Sequence, residues 1–465
     1  MGHHHHVSRR RFVRQAACAA VTSTSLLSTL ANLKFINAAS IANSSTLIGG
    51  DYKALVCILL SGGSDSFNML IPTDTNAYGH YQNTRESVAI PLNDINRLNG
   101  VDYGVHPSMT GIQQLFNNGR LSFISNIGTL LQPISKDDVF QNEQLLPLGL
   151  FSHSDQVQQW QTSLPHERSS IGWGGKIADL LASENTNENI SLNISLSGNN
   201  IFQTGNSSVE YTIDQDEGAI GILNYKNEGA SNIQQLKDVA VDNIIDANYQ
   251  DIFKRTYIDV LKTSRDTFIE FSEALENGPD LSSIFDDTDI GKQLEMIART
   301  ISVRQQLGMN RQIFFVDMGG WDHHDELLNS QAIMLNELSR AMSQFSSALD
   351  TINMQDCVTT FTSSEFGRTL TWNGNGTDHA WGGNVMVMGG PIKGGEIFGK
   401  YPSMELGSDY ELGGGGIMLP STSVDEYFAE LALWFGVSRS DLRTIFPNAS
   451  NFFDVNSDIP IGMFE

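Results

Sequence analysis

Basic residues are scarce in this 465-residue chain: 28 Lys and Arg stand against 53 Asp and Glu, a formal charge of −25. Nucleic-acid binding needs clustered Lys and Arg to displace counterions, and no basic stripe supplies them. The same acidic field repels an anionic ligand at long range, so such a ligand would need a local positive centre, most simply a metal ion. Cysteine is scarcer still, at three residues, which excludes a disulfide scaffold. Cys57 and Cys357 lie in apolar runs, where a small buried thiol is the ordinary outcome, and their spacing fits neither a zinc ribbon nor a CxxC pair. No uninterrupted apolar run reaches the roughly 18 residues that span a bilayer. Gly-x-Ser-x-Gly, Walker and His-Glu-x-x-His motifs are also missing. What remains, at 40% apolar composition, is a folded, soluble chain with room for a large core, whose length suits a few average domains or one large sheet.

The first 42 residues read as an export leader. Ser8-Arg9-Arg10-Arg11-Phe12-Val13-Arg14 places twin arginines before an aromatic and a basic residue. A weakly apolar stretch, Ala16 to Leu33, follows, and then the small residues Ala38-Ala39-Ser40-Ile41-Ala42 suited to cleavage. The alternative is a basic arm with an accidental Arg pair, but the three regions occur in the order of a Tat signal. The expected partner during export is the Tat translocase, which carries folded proteins, and the expected location is periplasmic or extracellular. Cleavage near Ala42 removes five basic residues and no acid, taking the charge from −25 to −30. His3 to His6 are given no functional weight.

Residues 43–53, rich in Ser, Thr, Gly and Asn, read as a linker, and residues 54–465 as the folded domain. Ala54 to Leu60 is a continuous apolar run ended by Ser61-Gly62-Gly63, the pattern of a strand buried on both faces. Leu121 to Ile127, Ile313 to Met318, Val358 to Thr362 and Val385 to Met388 repeat it. Helical periodicity separates several of these runs: Met109 to Phe116, Ser154 to Thr162, Ile233 to Leu275 in pieces, Ile290 to Leu307, and Ala332 to Ile352. Strands alternating with helices predict a doubly wound α/β sheet with helices on both faces. The Asn- and Ser-rich segment 185–230 breaks the rhythm and predicts a small β-rich insertion or cap. Gly389 to Gly416 reads as loops and hairpins, and Ser423 to Phe435 as an amphipathic helix.

In open α/β sheets ligands sit beyond the carboxyl ends of the strands, and the polar clusters fall there. Asp65 and Asn68 follow the first run, and Asp322, His323, His324 and Asp325 follow the run ending at Met318. Glu365 and Arg368 follow the run ending at Thr362, and Asp378 and His379 come a short loop later. Asp322, His324 and His379 together form an O,N,N donor set with an open position, the pattern of a catalytic zinc-like site. Asp65 and Glu365 would make an oxygen-rich second site suited to Mg or Ca. Each has a plain alternative: Asp65 as a turn or cap residue, Glu365 and Arg368 as an ion pair. His323 is expected to be a neighbour rather than a ligand, since adjacent side chains seldom face one site. Ser152 and His153 precede a helical segment, where a hydroxyl is either an N-cap or a nucleophile held at the positive end of the helix dipole. His106 is placed at the pocket rim, and Arg85 and Arg368 as candidate anion ligands.

Leu60-Ser-Gly-Gly-Ser-Asp-Ser-Phe-Asn68, His106-Pro107, Ser152-His153, Gly319-Gly-Trp-Asp-His-His324, Ser364-Glu-Phe-Gly-Arg-Thr369, Gly376-Thr-Asp-His379 and Pro420-Ser-Thr-Ser-Val-Asp-Glu-Tyr427 appear in order behind the twin-arginine start. With them the chain resembles the exported bacterial family catalogued as domain of unknown function 1501, which is thought to be related to the alkaline phosphatase and sulfatase superfamily. The resemblance implies an alkaline phosphatase-like α/β fold and a divalent-metal centre, with Zn or Mn at the His-containing site and Mg or Ca at a second. Asp65, Asp322, His324 and His379 resemble superfamily ligands. Glu365 stands where an Asp is usual and Phe366 where a His is usual, which removes a ligand. Ser152 is the nucleophile by position, with His153 and Arg368 beside it, but without a sulfatase signature around it. The expected function is metal-dependent hydrolysis of a phosphate or sulfate ester, on a small molecule or a glycan. The alternative is a non-catalytic exported protein that binds a glycan or protein partner around its metal.

Overall fold

The structure is a computed structural model that describes residues 52–221, 225 and 231–465. The leader expected over 1–42, and the linker up to residue 51, lie outside the described residues. Strands are β1 (Lys53–Leu59), β2 (Leu70–Pro72), β3 (Asn96–Arg97), β4 (Tyr103–Val105), β5 (Leu121–Gly128), β6 (Asn193–Ser195), β7 (Tyr211–Asp214), β8 (Gly218–Ala219), β9 (Arg311–Asp317), β10 (Val358–Ser363), β11 (Gly383–Gly389), β12 (Ile397–Gly399) and β13 (Thr422–Ser423). The five apolar runs of the sequence have become β1, β5, β9, β10 and β11, the longest strands of one sheet ordered β12-β5-β11-β10-β1-β9-β6-β7-β8, with β13 also on β5. β2, β4 and β3 form a small antiparallel sheet.

β1 lies at the centre, parallel to both β9 and β10, with Leu59 opposite Asp317 on one side and Ser363 on the other. The sheet is mixed rather than wholly parallel, because β11 runs antiparallel to β10 and to β5. A parallel return needs a crossover across the face of the sheet, whereas residues 364–382 between β10 and β11 contain no helix and turn back at the same edge. The segment 185–230 does supply short strands, but β6 pairs with β9 and β7 with β6, so they continue the central sheet instead of forming a cap.

Both faces of the sheet are covered, which is why its strands read as unbroken apolar runs. Ala54, Val56 and Ile58 of β1 join Phe314 and Val316 of β9 in a core with Ile112, Leu294, Leu335, Leu338 and Phe345 from the helices Thr110–Asn117, Asp289–Ser302 and Leu327–Thr351. On the other face Phe361 packs against Trp173 and Phe428, whose rings stack at 4.7 Å, from the helices Trp173–Leu181 and Val424–Phe435. The second of these starts in a capping box, Ser423 with Glu426, and ends at Gly436 in the left-handed region (φ 119°). Those caps satisfy its terminal amides and carbonyls and set its length. Cys57 is buried and unpaired, as expected of core.

His106 is not at a pocket rim. It is 4% exposed, and its Nδ1 accepts from the amide of Ser108 at 3.1 Å. Burial holds its pKa down at about 4, below an ordinary 6.5. Because the folded value is the lower one, its contribution to stability is complete above pH 6.5 and is lost as pH falls toward 4. Replacing it with asparagine, whose carbonyl can keep the Ser108 contact, should reduce the loss of urea stability between pH 7 and 4.5 by up to about 3 kcal/mol.

Candidate metal centre

The parallel register of β9, β1 and β10 delivers three chain segments to one edge of the sheet. After β1 the chain turns through Gly62, whose φ of +125° suits glycine and whose place leaves no room for a side chain, since a Cβ would lie 2.4 Å from the amide nitrogen of Asp322. That contact sets the Asp322 loop against the end of β1. After β10 the chain enters a short ladder in which the Gly367 amide bonds Trp381 O, the Ala380 amide bonds Gly367 O and the Thr369 amide bonds Asp378 O, each at 2.9 Å. Arg368 and His379 are paired across it. The fourth segment is the start of the helix His153–Thr162, whose first residue faces this edge.

Four side chains converge. His379 Nε2 lies 3.1 Å from His153 Nε2, 2.9 Å from His324 Nε2 and 3.2 Å from Asp322 Oδ1. Asp322 also reaches His324 Nε2 at 3.1 Å and His153 Nε2 at 3.5 Å. His153, Asp322 and His379 offer donor atoms all within 4.8 Å of one another.

The remote ring nitrogens are held as well. His153 Nδ1 faces Glu365 Oε1 at 2.7 Å, His379 Nδ1 the carbonyl of Phe151 at 2.9 Å, and His324 Nδ1 Asp378 Oδ1 at 3.1 Å. The Phe151 carbonyl can only accept. Glu365 Oε1 already accepts from the Gly62 amide at 2.8 Å. Hydrogen bonding from Asn373 comes first, and with His324 it holds Asp378 below the usual carboxylate range against its partial burial. Each Nδ1 thus faces an acceptor, and the three Nε2 atoms turn inward toward Asp322 and one another. Two nitrogens bound at about 2.0–2.1 Å to one tetrahedral ion stand roughly 3.3 Å apart, close to what is seen. Histidines fixed through the far nitrogen by carboxylate or carbonyl are the usual outer support of a metal site.

Asp322 completes the donor set. Partial burial pushes its carboxyl upward, but the hydrogen bond and charge of Arg368, with His324 and His153, hold it below the usual range. The four side chains remain 24–44% exposed, so one side of the cluster is open to solvent, as a reacting site requires and a closed structural site does not. Glu365→Gln should keep the shape but weaken the hold on the His153 ring. The expected result is a ten- to hundred-fold loss of metal affinity by titration against a chelator, with little change in unfolding midpoint.

The structure sorts the residues singled out from the sequence. Asp322, His324 and His379 come together as a donor set, and His153, expected beside a nucleophile, joins them. Asp65 and Glu365 do not form a second, oxygen-rich site: Asp65 Oδ2 is 2.5 Å from Arg85 with both side chains fully buried, and Glu365 is committed to Gly62 and His153. Arg85 is thereby also removed as an anion ligand. Arg368, expected to meet charge on a substrate, is fully buried with its guanidinium on Asp322, Gly62 O and Thr377 O, so it positions Asp322. The hydroxyl of Ser152 lies 3.2 Å from that of Ser154 and also hydrogen-bonds the Asp155 carboxylate, while the ring nitrogens of His153 meet Glu365 and His379. His323 is buried against Trp321 and stays out of the cluster. Asp378 and the Phe151 carbonyl were missed as orienting groups. Asp378 carried a signal, its place beside His379; a backbone carbonyl carries none.

The structure is similar to several solved ones. Ps i-CgsB, solved in complex with k-i-k-neocarrahexaose, matches at 13% identity and a TM-score of 0.32, covering 86% of this chain and 77% of that one. The PsFucS1 sulfatase from Pseudoalteromonas sp. matches at 9% and 0.32, covering 88% and 71%. A variant of the alkaline phosphatase PafA matches at 12% and 0.25, covering 70% and 64%. No curated protein matches the chain. Residues 52–411 match the family described as protein of unknown function (DUF1501), and the chain belongs to that family.

Proposed function

We propose that this protein is an exported, metal-dependent hydrolase of a phosphate or sulfate ester, on a small molecule or a glycan. One observation carries the reading: the Nε2 atoms of His153, His324 and His379 and the Asp322 carboxylate gather in one solvent-open cluster. Three nitrogens and one oxygen suit Zn or Mn better than Mg or Ca. A divalent ion bound there would supply Lewis acidity toward an ester oxygen and the local positive charge that an anion needs on so acidic a protein.

The chain's own groups do the positioning. Glu365, Asp378 and the Phe151 carbonyl fix the three rings, and Arg368 fixes Asp322. The helix His153–Thr162 aims its positive end at the same place, which favours an oxyanion. The Ser152 hydroxyl is engaged by Ser154 and by the Asp155 carboxylate, which supports water over Ser152 as the attacking group. Export through the Tat pathway belongs to the same proposal and rests on the leader at residues 1–42.

A second reading has its own observation. The Phe366 ring packs 4.9 Å from His153 and 4.7 Å from His379, an apolar wall where the superfamily resemblance implies a further ligand. A site so walled would suit an exported protein that binds a glycan or protein partner without turnover. The deciding experiment is elemental analysis of the purified chain followed by assay of aryl phosphate and aryl sulfate esters with the ion found. Bound metal with hydrolysis supports the enzyme, bound metal without it the binding protein, and absence of metal after incubation with Zn, Mn, Mg or Ca removes both.

A further inference from the structure

Phe151 stands in a conformation that phenylalanine seldom adopts. Its φ is +72°, in the left-handed region, and it is the third residue of a turn closed by the Ser152 amide on Gly149 O at 2.9 Å. Within that turn φ is positive at Phe151 but not at Leu150, the mark of a type II turn, whose third position ordinarily calls for glycine. Types I and II differ by a flip of the peptide between the second and third residues, so the Leu150–Phe151 peptide must be held over from outside the turn. A backbone outlier of this kind persists only where its surroundings impose it.

Gln156 supplies the hold. Its side chain is fully buried, Oε1 accepts from the Phe151 amide at 2.7 Å, and Nε2 donates to the Thr129 hydroxyl at 3.4 Å. Thr129, buried just past β5, also accepts on its carbonyl from the Trp381 indole at 2.9 Å, and Trp381 lies two residues beyond His379. The turn whose Phe151 carbonyl meets His379 Nδ1 at 2.9 Å and the loop that carries His379 are therefore anchored on one residue. The same turn runs straight into the helix whose first residue is His153, so its shape also sets where that ring starts.

We propose that Gln156 is a positioning residue of the histidine cluster: by holding the Leu150–Phe151 peptide in its type II orientation against Thr129, it aims the Phe151 carbonyl at His379 and fixes which nitrogen of that ring faces Asp322. A carbonyl only accepts, so the contact keeps the proton of the neutral ring on Nδ1 and leaves Nε2 free to bind a cation. The side-chain hydrogen bonds of Gln156 go to the turn and to Thr129, not to the four clustered side chains, so it acts through the backbone. Its effect on metal affinity rests on the proposed metal centre, whereas its effect on the ring does not.

The test compares the wild type with Gln156→Met, Gln156→Glu and Gln159→Ala, all as full chains. Methionine keeps the length and volume of the side chain without its acceptor, and a buried glutamic acid keeps an oxygen for the Phe151 amide. Gln159, also buried on this helix and donating to Leu148 O, is the control for a merely structural loss. Long-range proton–nitrogen NMR of the metal-free protein with isotope-labelled histidine, at about pH 8 where an ordinary imidazole is neutral, reads the His379 tautomer. The spectrum of His379→Ala identifies the signal. Titration of Zn against a chelator reads affinity, with His379→Ala setting the background from His3 to His6. The wild type should hold its proton on Nδ1, and Gln156→Met should mix the two tautomers and bind Zn about ten-fold more weakly. Gln156→Glu should restore the tautomer and bring affinity back to within about three-fold, while Gln159→Ala should lower only the unfolding midpoint. The inference is overturned by a wild-type proton on Nε2, by a Gln156→Met protein that keeps the wild-type tautomer or the wild-type Zn affinity, or by a Gln159→Ala protein that shifts as Gln156→Met does. A chain that shows the tautomer control but takes up no Zn supports the role of Gln156 and overturns the metal centre instead.

Discussion

Alanine at position 379 should leave a folded protein without its metal and without ester turnover. His379 Nε2 is the atom that touches every other donor of the cluster, so its loss removes the shared vertex and not one arm of the site. Metal affinity should fall by more than the ten- to hundred-fold typical of losing an outer partner, and turnover by about a thousand-fold or to background. Stability should change little, because the ring is partly exposed and the main loss inside the protein is the donor to the Phe151 carbonyl, worth about 1 kcal/mol. Chelator-treated wild type should match the variant in both respects. If either unfolds instead, the ion is structural and the hydrolase reading fails. His3 to His6 can bind metal themselves, so the informative quantity is the difference in metal content between wild type and variant.

Arg85→Ala should be among the most destabilising single changes in the molecule. The Asp65–Arg85 pair is fully buried at 2.5 Å, and Asp65 also meets the Thr377 hydroxyl at 3.4 Å while Arg85 reaches Thr369 O at 3.3 Å. The pair therefore joins the turn after β1 to the loop that carries His379. Removing the guanidinium strands a buried carboxylate, at about 3–5 kcal/mol in denaturant unfolding. The double replacement Asp65→Leu with Arg85→Met, which removes both charges and keeps the volume, should recover most of that. Asp65→Asn should leave metal content unchanged, whereas a fall would show Asp65 acting as a ligand after all.

Much of the fold was legible because its signals are local. Continuous apolar runs ended by Gly or Ser marked β1, β5, β9, β10 and β11, since a strand covered on both faces has no polar side to show. Amphipathic spacing marked the helix read over Ser423 to Phe435, which the structure places at Val424–Phe435. The antiparallel course of β11 was not legible, because it depends on whether the chain between β10 and β11 crosses the sheet face, and no residue type encodes that. The edge strands β6 to β8 were read as an insertion because short polar strands look alike at the edge of a large sheet and in a cap.

At the site the division is similar. Asp, Glu and His beyond strand ends stood out by residue type and by their following Gly-rich turns. Asp65 and Glu365 look equivalent along the chain, and so do His323 and His324. Only the tertiary structure separates them, by bringing Arg85 to Asp65, the Gly62 amide and His153 to Glu365, and a buried Trp321 to His323. His153 shows the reverse case. Nothing in its neighbourhood marks a ligand, and it becomes one because the helix it begins is packed against the loop carrying Asp322 and His379. The sequence by itself determined the α/β class, the strand ends at which chemistry gathers and the acidity that calls for a local cation. Which carboxylates are free, which imidazoles converge and which arginine is merely a support were decided by packing, because the partners are not chain neighbours, Arg85 lying 20 residues from Asp65 and Gly62 lying 303 from Glu365, and a side chain's charge is set by what burial brings beside it.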